Sequence, residues 1–181
     1  MIGTRQLRPN FLRALLCAVA LGVVLPGHAA RPAKPPVEAA AEANAFLDRF
    51  IGHWTGEGKD ARGAPLGDDL QCERVLDGTF LFMRDAAVGA SFKADTYVGY
   101  HAEAKRYELY TFNNNAAMAP GLPVRMMTGR RDGNRLVMEE KPGPKSLRYT
   151  FEFLDKDTFR LTKAFLAGSG PPIVVETFRR K

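Results

Sequence analysis

The sequence predicts an all-β protein, an up-and-down antiparallel β-barrel of about ten strands with a short N-terminal helix capping one end. After Gly52, apolar residues recur with a period of two, and glycine, proline and Asp-Gly pairs interrupt the chain at short, regular intervals. No segment between the predicted strands is long and helical enough for a crossover, so consecutive strands are expected to pair as a meander. Closure of such a meander removes unpaired strand edges.

Residues 1–29 have the pattern of a secretory signal peptide. Three arginines and no acidic residue precede the apolar run 14–25, and the small residues Gly27 and Ala29 follow it. A run of about twelve residues is shorter than the roughly twenty that a membrane-spanning helix needs. We therefore expect general secretory export to the periplasm or the medium, with no membrane span after cleavage.

Removal of this segment changes the charge balance and the cysteine count. The whole chain has 26 Lys and Arg against 20 Asp and Glu, and the remainder after residue 29 has 23 against 20. Such a nearly neutral chain gives no reason to expect a nucleic-acid partner. Cys17 lies in the removed segment, so Cys72 has no intrachain disulfide partner and is expected to be a small buried residue.

A linker and a helix precede the strands. Residues 30–37 are rich in proline and predict an extended linker. Over 38–51 the apolar residues have helical spacing, which predicts an amphipathic helix that ends at Gly52. The predicted domain, helix and barrel together, covers 38–181. The residues of the apolar stripe are Ala39, Ala43, Phe46, Leu47, Phe50 and Ile51.

The strands follow from alternation and from the turn residues between them. Asp77-Gly78 and Asp132-Gly133 have residue types that tolerate positive φ and predict tight hairpins. The predicted strands lie near 53–60, 68–76, 79–88, 92–101, 106–113, 123–131, 135–141, 146–154, 158–166 and 173–180.

A barrel of this size is wider than side chains alone readily fill, so an interior cavity is expected. Aromatic residues, with Leu161 among them, are predicted to face it on alternating positions: Phe80 and Phe82, then Tyr149, Phe151 and Phe153, then Phe159, Leu161 and Phe165. These faces predict a cavity suited to a small apolar or amphipathic molecule.

One motif resembles a known family. Gly52-His-Trp54-Thr-Gly56-Glu-Gly58 follows a predicted helix and opens the first strand, and it resembles the G-x-W start of lipocalin-like (calycin) barrels. Its longer G-x-W-x-G-x-G form is similar to nitrobindin-like barrels. Residues 97–112 are similar to the mid-barrel hairpin of the bacterial lipocalin-like family called domain of unknown function 1579, with His101 at a usually acidic place.

The resemblance implies roles for a few residues. In calycins the tryptophan packs across the closed end, often against an arginine of the last strand, which implies that Trp54 meets Arg179 or Arg180 at the barrel base. Nitrobindins bind haem through a histidine late in the chain. Here the histidines after the signal segment are His53 and His101, so His101 is only a weak candidate for a haem ligand, and no cofactor is expected.

Candidate ligand contacts are polar residues on otherwise apolar strand faces. Arg84, Glu140 and Lys163 each follow apolar residues at a spacing of two, and a buried charge must pair or meet a polar ligand. The alternative is that these charges lie at the barrel rim in water. Tyr100 and Met126 flank a long loop near 114–122, which is either an entry lid or a tolerated insertion. The cavity candidates are Arg84, Thr96, Tyr100, Thr111, Met126, Glu140 and Lys163.

The sequence contains no recognisable motif for metal binding, phosphate binding or nucleophilic catalysis. A metal site is not expected from Cys72 and two separated histidines. The glycines form no phosphate-binding loop and the serines no G-x-S-x-G elbow. Binding of a small apolar molecule is therefore the main functional prediction. The alternatives are an isomerase or cyclase with Glu140, Lys163 or Tyr100 as acid and base, a haem or nitric-oxide barrel, and an envelope interaction protein.

Overall fold

A computed structural model describes residues 36–114, 124–168 and 170–181. The predicted signal peptide, most of the linker and most of the loop near 114–122 lie outside these residues. The elements are α1 (Pro36–Asp48), β1 (Gly52–Asp60), β2 (Pro65–Val75), β3 (Phe80–Ala87), β4 (Lys93–His101), β5 (Arg106–Asn113), β6 (Val124–Asp132), β7 (Arg135–Glu139), β8 (Leu147–Phe153), β9 (Thr158–Phe165) and β10 (Val174–Arg180).

The ten strands form a closed antiparallel barrel. Each strand pairs with the next in the chain, and β1 pairs with β10, with Trp54 opposite Arg180 and Gly58 opposite Glu176. The predicted hairpins are tight turns in which Asp77 has φ 54° and Gly133 has φ 57°. The predicted fold class is therefore confirmed.

The helix lies slightly earlier than the sequence pattern predicts. It starts at Pro36 rather than residue 38, because proline is well suited to the first turn of a helix, where its missing N–H is not needed. It ends at Asp48 rather than residue 51. There the N–H groups of Arg49 and Phe50 donate to the carbonyls of Phe46 and Leu47 at 3.2 and 3.0 Å, which tightens the last turn.

Aromatic side chains close the helix end of the barrel. Phe46 packs against Phe153 with ring centroids 5.7 Å apart, and Phe50 packs against Phe153 and Phe159 at 4.6 and 5.3 Å. Leu47 is fully buried beside them. Among the described residues, side chains of the core fill this end, and the open interior space lies toward the other end.

The first strand leaves room inside the barrel. Trp54 faces inward and is fully buried, and the next two inward positions are Gly56 and Gly58. A Cβ on Gly56 would lie 2.6 Å from the ring of Phe178, and one on Gly58 would lie 2.6 Å from Cγ of Glu176. The G-x-W-x-G-x-G pattern thus gives space to two side chains of β10.

The arginine that meets Trp54 is Arg180. Its guanidinium carbon lies 4.1 Å from the centroid of the Trp54 ring, while the indole Nε1 donates to the carbonyl of Phe50 at 2.7 Å. Of the two arginines that the resemblance implies for this role, Arg179 points outward and pairs loosely with Glu57 at 3.7 Å. The Arg180 alternative is the one found, and Arg179 does not lie at the barrel base, because alternation along β10 turns neighbouring residues to opposite faces.

Cys72 is buried in the hydrophobic core and forms no disulfide. Burial raises the pKa of its thiol far above the usual range, so it is an inert part of the core. Among the described residues, no helix has the length and apolar character required to cross a bilayer.

Candidate binding cavity

A cavity of about 350 Å³ lies inside the barrel on the side away from the helix. Most of its lining is apolar and comes from strands on all sides. The inner part of the lining includes Leu70, Met83, Leu109, Phe151, Phe159 and Leu161. A volume of this size falls within the range of about 300–1,000 Å³ that is typical of small-molecule sites.

Charged side chains interrupt this apolar lining. Asp68 on β2, Asp85 on β3 and Glu176 on β10 line the cavity together with Lys163 on β9. On β1, which lies between β10 and β2, Gly58 is opposite Glu176 and Gly56 is opposite Asp68, so the three carboxyl groups lie on one continuous part of the wall. The cavity is therefore an apolar space with one acidic side, the acidic wall formed by Asp68, Asp85 and Glu176.

Glu176 and Asp68 form a carboxyl pair in this wall. Both are buried, and Glu176 has only 1% of its surface exposed. Burial, and then a hydrogen bond with Asp68, raises the pKa of Glu176 above its ordinary value, although the charge of Lys163 opposes this. The protonated form of Glu176 is therefore favoured, because two buried negative charges side by side are unfavourable.

The protonated form of Asp85 is also favoured. Burial raises its pKa to about 7, the nearby charge of Asp68 contributes further, and Lys163 acts in the opposite direction. Among the described residues, Oδ1 of Asp85 and Oε1 of Glu176 are buried without a hydrogen-bond partner. Such unsatisfied acceptors are costly in a protein interior.

Lys163 remains charged in the cavity. Burial lowers its pKa, but electrostatic interactions with Tyr149, Glu176, Asp85 and Asp68 outweigh that effect and leave the pKa above its ordinary value. Its Nζ also lies 5.6 Å from the centroid of the Tyr149 ring. The cation is therefore held by the acidic wall and by an aromatic face.

Three of the cavity candidates named from the sequence line this space. Thr96 and Thr111 lie opposite each other on β4 and β5, and their hydroxyls are 2.8 Å apart. Lys163 is the third. The inward faces predicted for β8 and β9 are also found, since Tyr149, Phe151, Phe159 and Leu161 all line the cavity; Phe165 is exposed at the strand end.

Arg84 lies on the outside of the barrel, because the face of β3 is the reverse of the predicted one. Leu81 and Met83 point inward, while Phe80, Phe82 and Arg84 point outward. The outer aromatics are covered locally: Phe82 packs against Tyr97 at 5.0 Å, and the Arg84 guanidinium lies 5.1 Å from the Phe82 ring. A one-residue difference in register reverses every side chain of a strand.

Met126 and Glu140 belong to a groove on the outer side of β5, β6 and β7. Met126 faces outward and is 64% exposed. Glu140 accepts a hydrogen bond from Arg125 and another from the backbone N–H of Leu147. Arg125 itself lines the cavity, so Glu140 affects the cavity by neutralising this arginine.

Tyr100 and His101 are at the helix end, away from the cavity. Tyr100 is half-buried and packs edge-on against Tyr107 at 5.1 Å. His101 is exposed at the end of β4, where its Nδ1 accepts a hydrogen bond from the N–H of Ala104 at 3.2 Å. This position does not fit an axial ligand of a haem held inside the barrel.

The three residues of the acidic wall were not predicted from the sequence as cavity residues. Asp68, Asp85 and Glu176 each alternate with apolar residues, Leu66 and Leu70 in the case of Asp68, and this spacing could have revealed them. The same spacing predicted that Arg84 faces inward, so alternation alone does not separate buried charged residues from exposed ones.

Within the described ranges, no group of three or more His, Cys, Asp or Glu residues has the arrangement of a metal site. A comparison of the chain with protein-family models finds no match, and a comparison with curated protein sequences finds no significant match. The resemblance to lipocalin-like families therefore stays a prediction.

Proposed function

We propose that this protein is an exported binding barrel that holds a small amphipathic molecule in its interior. The observation that carries the proposal is the cavity of about 350 Å³, apolar on most sides and acidic on one. Apolar walls contribute affinity by removing ligand surface from water, and a few polar groups fix orientation. Export is the part of the proposal that depends on the N-terminal sequence pattern alone.

A blocked cavity tests the binding proposal. Ala87 lines the cavity near its mouth, whereas its neighbour Ala86 belongs to the opposite face of the same strand. We expect Ala87→Trp to weaken binding of the uncharged fluorescent dye N-phenyl-1-naphthylamine by about tenfold or more, because the indole would fill the space that the dye needs. The matched variant Ala86→Trp should change the dissociation constant by less than about twofold.

Two results would contradict the proposal. One is the absence of dye binding by the wild-type protein, and the other is equal binding by the two tryptophan variants. Both variants need the native near-ultraviolet circular dichroism, since a loss of fold would also abolish binding. Solvent extraction of protein purified from its native source, followed by mass spectrometry, would identify a bound molecule directly.

A second candidate function is acid–base catalysis on an apolar substrate. The observation that favours it is Lys163 beside Asp85 and Glu176 in one apolar cavity, since a carboxyl group with a pKa of about 7 is suited to proton transfer. Of the acid–base residues named from the sequence, Lys163 alone lines the cavity. Exchange of deuterium from D₂O into carbon next to a ketone, catalysed by wild type and lost in Asp85→Asn, would support this function.

A further inference from the structure

The cavity contains more carboxyl groups than cations. Asp68, Asp85 and Glu176 line it, against the ammonium group of Lys163. The other cation in the lining, Arg125, is ion-paired with Glu140, and the two side chains are 14% and 17% exposed. The described lining therefore has three acidic side chains and one cation, Lys163, that is not paired with a carboxylate outside them.

Two carboxyl oxygens in this wall have no hydrogen-bond donor. Oε1 of Glu176 and Oδ1 of Asp85 are buried and unpartnered among the described residues. Glu176 is almost completely buried, and the absence of a side chain at Gly58 makes its position possible. Buried acceptors are normally satisfied by protein or by an ordered partner, so the wall is built for a donor that these residues do not supply.

The protonation of the wall agrees with a missing cation. Burial raises the pKa of both Asp85 and Glu176 above ordinary carboxyl values, and the charge of Lys163 only partly opposes this. Protons on these groups replace the positive charge that the cavity lacks. A bound cation would take over this role and release them.

We infer that the ligand of this cavity is an amphiphile with a primary ammonium group, which binds Asp85 and Glu176, and an apolar body that the leucine and phenylalanine side chains enclose. A primary ammonium has three N–H donors and a positive charge, which matches two unpartnered acceptors on an acidic wall. An alcohol supplies one donor and no charge. A carboxylate would add negative charge beside three carboxyl groups. This inference rests on the binding function proposed above and specifies its ligand class.

Competition among three probes of equal chain length tests the ligand class. Octylammonium, octanol and octanoate would each be titrated against the bound uncharged dye at neutral pH. We expect octylammonium to displace the dye at a concentration about tenfold or more below that of octanol, with octanoate the weakest. If the wild-type protein does not bind the dye, the proposed binding function itself fails; if the dye binds and no probe displaces it, binding stands and the ammonium inference is overturned. If octanol or octanoate competes as well as octylammonium, binding stands and the ammonium inference is overturned.

A pair of isosteric variants locates the ammonium site. Asp85→Asn removes the charge with little change in size, and we expect it to weaken octylammonium binding by about tenfold or more and octanol binding by less than about twofold. Asp95→Asn is the matched control, since Asp95 lies on the outer face and pairs with Arg84 at 3.4 Å. Equal loss for octylammonium and octanol would indicate a change in packing, and unchanged octylammonium binding would show that Asp85 is not a contact. Either result overturns the inference.

Discussion

Gly58 lies directly opposite Glu176 in the β1–β10 pair, and Cγ of Glu176 occupies the space that a side chain on Gly58 would need. This relationship connects the glycine-rich start of the first strand with the acidic side of the cavity. The last glycine of the G-x-W-x-G-x-G pattern is thus a condition for a buried glutamate. The pattern determines the site as well as the fold.

Substitution of Gly58 by alanine tests this relationship. A Cβ there would lie 2.2 Å from the carbonyl oxygen of Val175 and 2.6 Å from Cγ of Glu176, so backbone must shift. We expect Gly58→Ala to lower the free energy of unfolding by about 2 kcal/mol, which is typical of overpacking. The measurement is urea unfolding followed by tryptophan fluorescence. Gly67→Ala is the control, because its nearest contact would be an ordinary 3.6 Å from Cβ of Val88; equal effects of the two variants would refute the steric argument.

Arg180 joins the last strand to the helix end. Its guanidinium covers Trp54, and its nitrogens donate to the carbonyls of Arg49 and Ile51. We expect Arg180→Ala to reduce the free energy of unfolding by about 2 kcal/mol, because a cation–π contact and charged hydrogen bonds are lost together. The thermal midpoint and the urea midpoint should both fall.

The neighbouring arginine is the control for this prediction. Arg179 is 63% exposed and lies 3.7 Å from an exposed Glu57. Arg179→Ala should change stability by less than about 0.5 kcal/mol, as is usual for surface ion pairs. A larger loss of stability for Arg179→Ala than for Arg180→Ala would contradict the prediction, because the stabilising contact of β10 would then lie on the outer face.

Asp85 makes stability depend on pH. Its pKa of about 7 in the folded state lies above the ordinary 3.8, so the folded protein keeps a proton that the unfolded chain has lost. The free energy of unfolding should therefore fall as pH rises from about 4 to about 7, by at most about 1.4 kcal/mol per unit from this group. Asp85→Asn should flatten this slope and be more stable than wild type at about pH 8. Urea midpoints across this range measure it, and Asp95→Asn, on the exterior, should retain the wild-type slope.

The Arg125–Glu140 pair neutralises the positive charge that Arg125 would otherwise present to the cavity. The two side chains are mostly buried, so Glu140→Gln leaves an arginine without its counterion. We expect a loss of about 2 kcal/mol in the free energy of unfolding, together with weaker octylammonium binding. Glu139→Gln is the control: its pair with Arg148 is 40% and 46% exposed and should contribute less than about 1 kcal/mol. No difference between the two variants would show that the burial of the Arg125 pair is energetically unimportant.

Alternation made the strands predictable, but it predicted the site only in part. Thr96, Thr111 and Lys163 line the cavity, and the inward faces of β8 and β9 follow from runs of aromatic residues. On β3, both faces have large apolar residues, so alternation has no unique solution. The outward orientation of Phe80 and Phe82 is stabilised because Phe80 packs on Gly99, where a Cβ would lie 2.8 Å from the ring.

The sequence by itself determined the antiparallel meander, its tight turns and the helix before Trp54, because these depend on local periodicity and on residues that tolerate positive φ. Only the tertiary structure decided which face of each strand is interior, since closure of the barrel fixes the register and brings β10 beside β1. That closure places Asp68, Asp85 and Glu176 on one wall although they lie far apart in the chain. Burial then changes their protonation, which is a property of the enclosed space and not of the residues alone.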